Sequence, residues 1–312
     1  MENNRILLTG AGGQIGQVLT KTLEERYGKE NILATDLKPV DVFHQFEILD
    51  VLDEVGYREM VKKFRPDVIF HLVGVLSAVG ESDPVKSWNV NTRGWMNTLQ
   101  ISVEMEVSKV FFPSSIAVFG SIDGPLIRAG QYVNLQPKTM YGVAKVAGEN
   151  LGYYYWRRYG LDVRSLRYPG IISYQSAPGG GTTDYSVDVF QKAIRGQPYV
   201  CYISQDTMLP MMFIDDAIRG TLQMMETPSE NLSVRTSYNF GGVSFSPKML
   251  AKEIRKHIHD FEMEYKPDFR NDIAKDWPDY ITDDAAREDW GWEHEFELEH
   301  IVSEMIFQLQ QE

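Results

Sequence analysis

Cysteine is almost missing from this chain: among 312 residues there is one, Cys201. An intramolecular disulfide is therefore impossible, and a metal cage built from several thiolates is excluded. The lone thiol reads as a small apolar core residue in a reducing compartment. Long apolar runs are missing too, and no stretch approaches the roughly 20 residues that span a bilayer. The N-terminus passes directly into a strand-like run, with no charged-then-apolar leader and no Arg-rich presequence, so a cytoplasmic protein is expected. Basic clusters are lacking as well. With 31 Lys and Arg against 44 Asp and Glu, the formal charge of -13 opposes polyphosphate backbones and anionic lipid. Neither nucleic acid nor membrane is expected as a partner. The mixed runs 252–256 and 293–299 read as solvated helix faces. His257 and His259 stand two apart on an expected helix and point in different directions, so no metal site is expected there.

What is present is an ordinary globular composition, 43% hydrophobic and 24% charged, enough for a sizeable core. Short β-branched runs at 5–9, 31–35, 43–48, 67–72 and 109–113 alternate with helical spacing over 13–27, 53–64 and 84–105. A helix over 141–159 and a strand over 162–167 continue the alternation. Successive βαβ units of this kind predict an α/β fold with a doubly wound parallel sheet, the Rossmann fold. Residues 169–185 are rich in Gly, Pro, Ser and Thr, a composition that suits a functional loop. Beyond about residue 187 the alternation loosens.

The first strand runs into Gly10-x-x-Gly13-x-x-Gly16 and then a helix. Gly10 would permit the tight turn, Gly13 the approach of backbone to a pyrophosphate, and Gly16 close packing of the helix. The diphosphate would sit at the helix N-terminus, beside Gln14 and Ile15. Asp36 ends the second strand, where a carboxylate can bond ribose hydroxyls and would repel a 2′-phosphate. This favours NAD over NADP, with Lys38 opposing the preference. Asp50 can bond an adenine amino group or serve as a cap ahead of Asp53. These features predict an NAD-binding domain over 1–168 that carries the catalytic helix. Residues 169–312 would form a smaller, mostly substrate-binding lobe, with some segments returning to the first domain.

Tyr141 and Lys145 are four apart and share a helix face. An ordinary phenol, with a pKa of about 10, is no base at neutral pH. A neighbouring ammonium and a positively charged nicotinamide favour the phenolate. Ser115 at the end of the fifth strand can hold a substrate oxygen beside Tyr141, and Ser114 is the alternative. Ser-Ser at a strand end is also common turn chemistry.

Several motifs together resemble the extended short-chain dehydrogenase/reductase superfamily. They are the glycine motif, Asp36, His71-Leu-Val-Gly, Val90-Asn91, Ser114-Ser115-x-x-Val-Phe-Gly120 and Tyr141-x-x-x-Lys145. Longer strings extend the likeness to the short-chain type of L-threonine 3-dehydrogenases. These are Leu76-Ser77-Ala-Val-Gly-Glu81, Arg164-Ser-Leu-Arg-Tyr-Pro169-Gly-Ile-Ile-Ser173, Pro178-Gly-Gly-Gly-Thr-Thr-Asp184-Tyr, Asp206-Thr-x-Leu-Pro-Met-Met212 and Asp289-Trp-Gly-Trp292. Val73-Gly74 stands where a small Ala pair is more usual. The resemblance implies oxidation of L-threonine at C3 to 2-amino-3-oxobutyrate, with hydride transfer to NAD, on the way to glycine or aminoacetone. It adds Leu37, Val51, Leu72, Val73, Gly74, Asn91 and Tyr168 to the cofactor site. It assigns Ser77, Gly180, Thr182, Thr183 and Asp184 to the substrate, although Thr-Thr-Asp is also N-cap chemistry. It also implies a homodimer, with Tyr153-Tyr-Tyr-Trp156 packing a helix against a subunit or the core. Two alternatives share the first half: a nucleotide-sugar epimerase or dehydratase, and a non-catalytic NAD-sensing protein.

Overall fold

Seven parallel strands form the main sheet, in spatial order Tyr238–Asn239, Asp162–Tyr168, Lys109–Ser115, Val68–His71, Ile6–Thr9, Ile32–Asp36 and Phe46–Ile48. The computed structural model describes residues 4–120, 127–175 and 179–311. Pro178 of the glycine-rich string lies outside the described residues. The central strands Ile6–Thr9 and Val68–His71 are apolar up to their last residue because both faces are covered. Ile6 and Leu8 enter one core and Leu7 the other, as the two-residue pleat requires. Strand order reverses beside Ile6–Thr9, and a crevice opens at the carboxyl ends on that line.

Two elements depart from the sequence expectation. The run 43–48 forms a strand only over Phe46–Ile48, where it pairs with Asp36 and its neighbours as the sheet's edge and leaves Ile48 61% exposed. The helix expected over 84–105 is three pieces, Pro84–Trp88, a π-turn Asn89–Arg93 and Gly94–Glu104. The π-turn carries Asn91 inward, where its amide bonds the backbone of Val75 in both directions.

After Tyr168 the chain builds smaller sheets. Leu209–Phe213 pairs in parallel with Gly170–Ile172 and antiparallel with Val243–Phe245. Tyr199–Cys201 pairs with Met263–Tyr265, and Arg128–Ala129 with Tyr280–Ile281. Two segments of this half return to the main sheet. Tyr238–Asn239 becomes its edge, and helix Ile214–Glu226 packs on helix Gln14–Tyr27, with Arg26 paired to Glu226 at 2.8 Å. Cys201 is buried. Among the described residues no helix is long and apolar enough to cross a membrane.

Candidate active site

The crevice is a cavity of about 820 Å³ running from the first glycine turn to the loop 179–184. At its cofactor end Gly10 has φ +77°, and a Cβ there would lie 2.8 Å from the Val73 amide nitrogen. A Cβ on Gly16 would lie 2.4 Å from the Gly10 carbonyl oxygen, so the helix can seat on the turn only without a side chain. Gln14 and Ile15 line the cavity at the start of that helix. The Asp36 carboxylate accepts the Gly12 amide at 2.9 Å and the Leu37 amide at 2.7 Å. Gly12 lay inside the motif without being singled out, and it ties the acidic residue to the glycine turn. Replacing Asp36 with Ala removes both tethers, and the Kd for NAD, followed by fluorescence titration, is expected to rise about tenfold, equivalent to ~1.4 kcal/mol.

The other expected cofactor residues divide. Leu72, Gly74, Lys145 and Tyr168 line the cavity, whereas Leu37, Val51, Val73 and Asn91 do not. Asp50 accepts the Leu52 amide at 2.9 Å, and Asp53 is the residue that caps helix Glu54–Phe64.

The other end is built on helix Met140–Tyr159. Thr139 caps it through the Gly142 amide at 3.1 Å, and Glu81 accepts the Met140 amide at 2.8 Å. One turn in, Lys145 is buried and donates to the Pro113 carbonyl at 2.6 Å. Its Nζ stands 5.4 Å from the centre of the Tyr141 ring. The Ser115 hydroxyl lines the cavity together with Tyr141 and accepts the Ala117 amide at 3.2 Å. Ser114 points elsewhere and donates to Glu149 at 2.6 Å. Both serines lie within the strand, which runs two residues past the expected end and pairs them with Arg167 and Tyr168. Burial pushes the Tyr141 phenol up to about 12, with the Ser115 hydroxyl opposing it. Burial also pushes Lys145 down to about 7, against the pull of Glu149. The spacing Tyr-x-x-x-Lys showed the charge beside the phenol; it could not show that desolvation outweighs it in the protein alone.

Opposite lies the glycine loop. Gly180, at φ +91°, and Gly181 both donate their amides to Asp184 Oδ2 at 2.8 Å. Asp184 precedes helix Tyr185–Ala193, yet its carboxylate caps none of that helix's amides and closes its own loop instead. Burial raises its pKa, opposed by those two amides. Thr182 and Ser77 are buried and hydrogen-bonded to each other at 2.9 Å, joining this loop to the one after Val68–His71. Thr183 and Asp184 line the cavity, and Gly180 is flanked by lining residues without being one. Gln175 and Trp277 also line it, and no local pattern marked either. Trp277 reaches the site only because the second half folds back over the first.

Residues 6–241 match the NAD dependent epimerase/dehydratase family. The chain belongs to this family. Its cofactor is NAD, and the glycine turn without side chains, the helix N-terminus and Asp36 fit that group. An L-threonine 3-dehydrogenase from Bos taurus, named as mitochondrial, is 43% identical over 310 residues, covering 98% of this chain and 82% of that protein. The holo form of a GalE-like L-threonine dehydrogenase from Cupriavidus necator matches with a TM-score of 0.95 at 42% identity, covering 98% of this chain and 99% of that one. A metagenomic L-threonine 3-dehydrogenase in its apo form, described as monomeric, matches with a TM-score of 0.95 at 45% identity, again over 98% and 99%. The family likeness read from the motifs and the Rossmann architecture both stand.

Proposed function

We propose that this family member oxidises the 3-hydroxyl of L-threonine to the ketone of 2-amino-3-oxobutyrate. The observation that carries this reading is one cavity lined both by Tyr141 and Ser115 and by a loop of small hydroxyls and one acid, over residues 179–184. Bound NAD supplies the acceptor for the hydrogen that leaves C3. Gly10, Gly13, Gly16 and the helix N-terminus would hold its diphosphate, Asp36 the adenosine ribose, and Lys145 the second ribose. Tyr141 as phenolate takes the hydroxyl proton, Ser115 orients that hydroxyl, and Lys145 stabilises the phenolate. Ser77, Thr182 and Thr183 would receive the carboxylate, and Asp184 with the Gly180 turn the ammonium group. The Ser77–Thr182 bond holds the two loops together, which excludes water and fixes the reacting atoms. A β-keto acid loses carbon dioxide readily, so the product leads to aminoacetone unless a second enzyme cleaves it to glycine.

The pair of Tyr141 and Lys145 should give the reaction a defined pH profile. Phenolate with ammonium is a tautomer of the singly deprotonated pair, and that pair forms as Lys145 titrates near 7. Turnover is therefore expected to climb with pH and to level off above about 7. A rate that falls as pH rises through this range would contradict the assignment. The function itself is tested by NADH absorbance with L-threonine beside L-serine, 3-hydroxybutyrate and UDP-sugars. We expect a signal with L-threonine that exceeds the others; a signal with a UDP-sugar alone would favour the nucleotide-sugar alternative.

We also infer a division of labour, with residues 1–168 holding the cofactor and 169–312 mostly the substrate. Tyr153, Tyr154 and Tyr159 on the catalytic helix are 38%, 51% and 50% exposed, which supports a homodimer through this face. Sedimentation at micromolar concentration is expected to give twice the chain mass, and the chain mass alone would place it with its monomeric relative. The single buried cysteine fits a reducing compartment, and the cytoplasm is our reading.

A further inference from the structure

Tyr141, Lys145 and Glu149 follow at intervals of four along helix Met140–Tyr159, so the three share one face. Glu149 is 2% exposed and sits against a row of polar side chains that the sheet register aligns across three strands. Ser114 pairs with Arg167 in adjacent strands, and Arg167 with Asn239 in the next. Glu149 Oε1 accepts from Ser114 Oγ at 2.6 Å and Arg167 Nε at 2.9 Å, and Oε2 accepts from Arg167 Nη2 at 2.8 Å. Arg167 Nη1 continues the row to Asn239 Oδ1 at 3.0 Å and the Gln131 carbonyl at 3.1 Å. Asn239 then donates to the Thr282 carbonyl at 2.9 Å, in the second half of the chain.

A buried ion pair is often no more stabilising than apolar residues of the same volume, so stability alone does not account for this one. Its location does. The titratable groups facing Lys145 are Tyr141 and Glu149 on its own helix and His71 at the end of Val68–His71, with the Pro113 carbonyl as its hydrogen-bond acceptor. Asn91 approaches on the Gly74 side with a neutral amide. Burial, and then the charge of Lys145, hold His71 down to about 3, so it is uncharged. Glu149 is the anion of this set.

We propose that Glu149, anchored by Arg167 and Ser114, is a positioning residue that keeps Lys145 an ammonium beside Tyr141. The inference rests on the reading of Tyr141 and Lys145 as the reacting pair. Burial drives Lys145 toward its neutral form, and Glu149 acts against that drive. Arg167 and Ser114 occupy both carboxylate oxygens, so Glu149 acts through its charge at a fixed place rather than by reaching into the cavity.

The test reads Lys145 directly, in the chain without cofactor, by NMR titration of 13C-labelled lysine, with the signal identified by its loss in Lys145→Met. In Glu149→Gln the Lys145 midpoint is expected to fall by roughly one pH unit, a tenfold loss of ammonium above it. Turnover with L-threonine should level off at a correspondingly lower pH and about tenfold lower, with KM little changed. Below that pH the deficit should vanish, since the ammonium is restored. Glu149→Gln leaves Arg167 without its anion and could fail to fold. The double variant Glu149→Leu with Arg167→Met removes both charges, and the same shift is expected in it. A Lys145 midpoint that stays in place in either folded variant overturns the proposal. If the unaltered chain makes no NADH from L-threonine, the proposed function fails, while the Lys145 titration still decides this inference.

Discussion

Tyr141→Phe is expected to lower turnover with L-threonine by about 10²–10⁴-fold, the range in which a positioned acid or base contributes. The substitution removes one oxygen and leaves the ring that stands 5.4 Å from Lys145. Lys145 keeps its bond to the Pro113 carbonyl, and the helix keeps its Thr139 cap, so neither depends on the phenol. NADH binding, followed by fluorescence, should accordingly change little. The loss should appear in kcat, because the proton passes to Tyr141 only as the reaction proceeds. Near-full turnover in this variant would remove Tyr141 as the base and leave Ser115 or a water in its place.

The second large effect is on stability. Arg167→Met strands the Glu149 carboxylate in the interior, and breaking a buried pair from one side costs about 3–5 kcal/mol. Arg167 is 3% exposed and makes bonds to Glu149, Asn239 and Gln131, all of which are lost together. Urea denaturation of the variant should show a midpoint well below that of the parent. The double variant with Glu149→Leu should recover most of the difference, because no buried charge is left. An exposed pair provides the contrast: Lys63–Glu47, at 2.9 Å on the surface, is worth about 0–1 kcal/mol, and its loss should be barely visible. If Arg167→Met proved as mild as Lys63→Met, the Glu149 carboxylate would have to be solvated, contrary to its burial.

Much of the site was legible because its parts are local. A strand, three glycines and a helix form a phosphate turn from their order alone, and Asp36 follows from the length of one βα unit. Tyr141 and Lys145 share a face because a helix repeats every 3.6 residues. The apolar runs of the central strands were readable for the same reason, whereas the cap expected at Asp50 falls on Asp53. The likeness to L-threonine 3-dehydrogenases rested on strings that also needed no tertiary information.

Other parts depended on contacts between distant segments. Which of Ser114 and Ser115 meets Tyr141 turns on two further residues of strand pairing, since the pleat sends neighbours to opposite faces. Asp184 makes no side-chain cap to the helix that follows it; its carboxylate closes its own glycine loop at the cavity wall. Trp277 reaches the cavity, and Asn239 extends the Glu149–Arg167 row, only through the return of the second half onto the first. The sequence by itself determined the fold class, the glycine turn and the placing of Tyr141 and Lys145 on one helix face, because repeat lengths and backbone freedom are properties of short segments. Only the tertiary structure decided how burial opposes charge at those two residues and which partners they meet, because burial and register are set by residues far away in the chain.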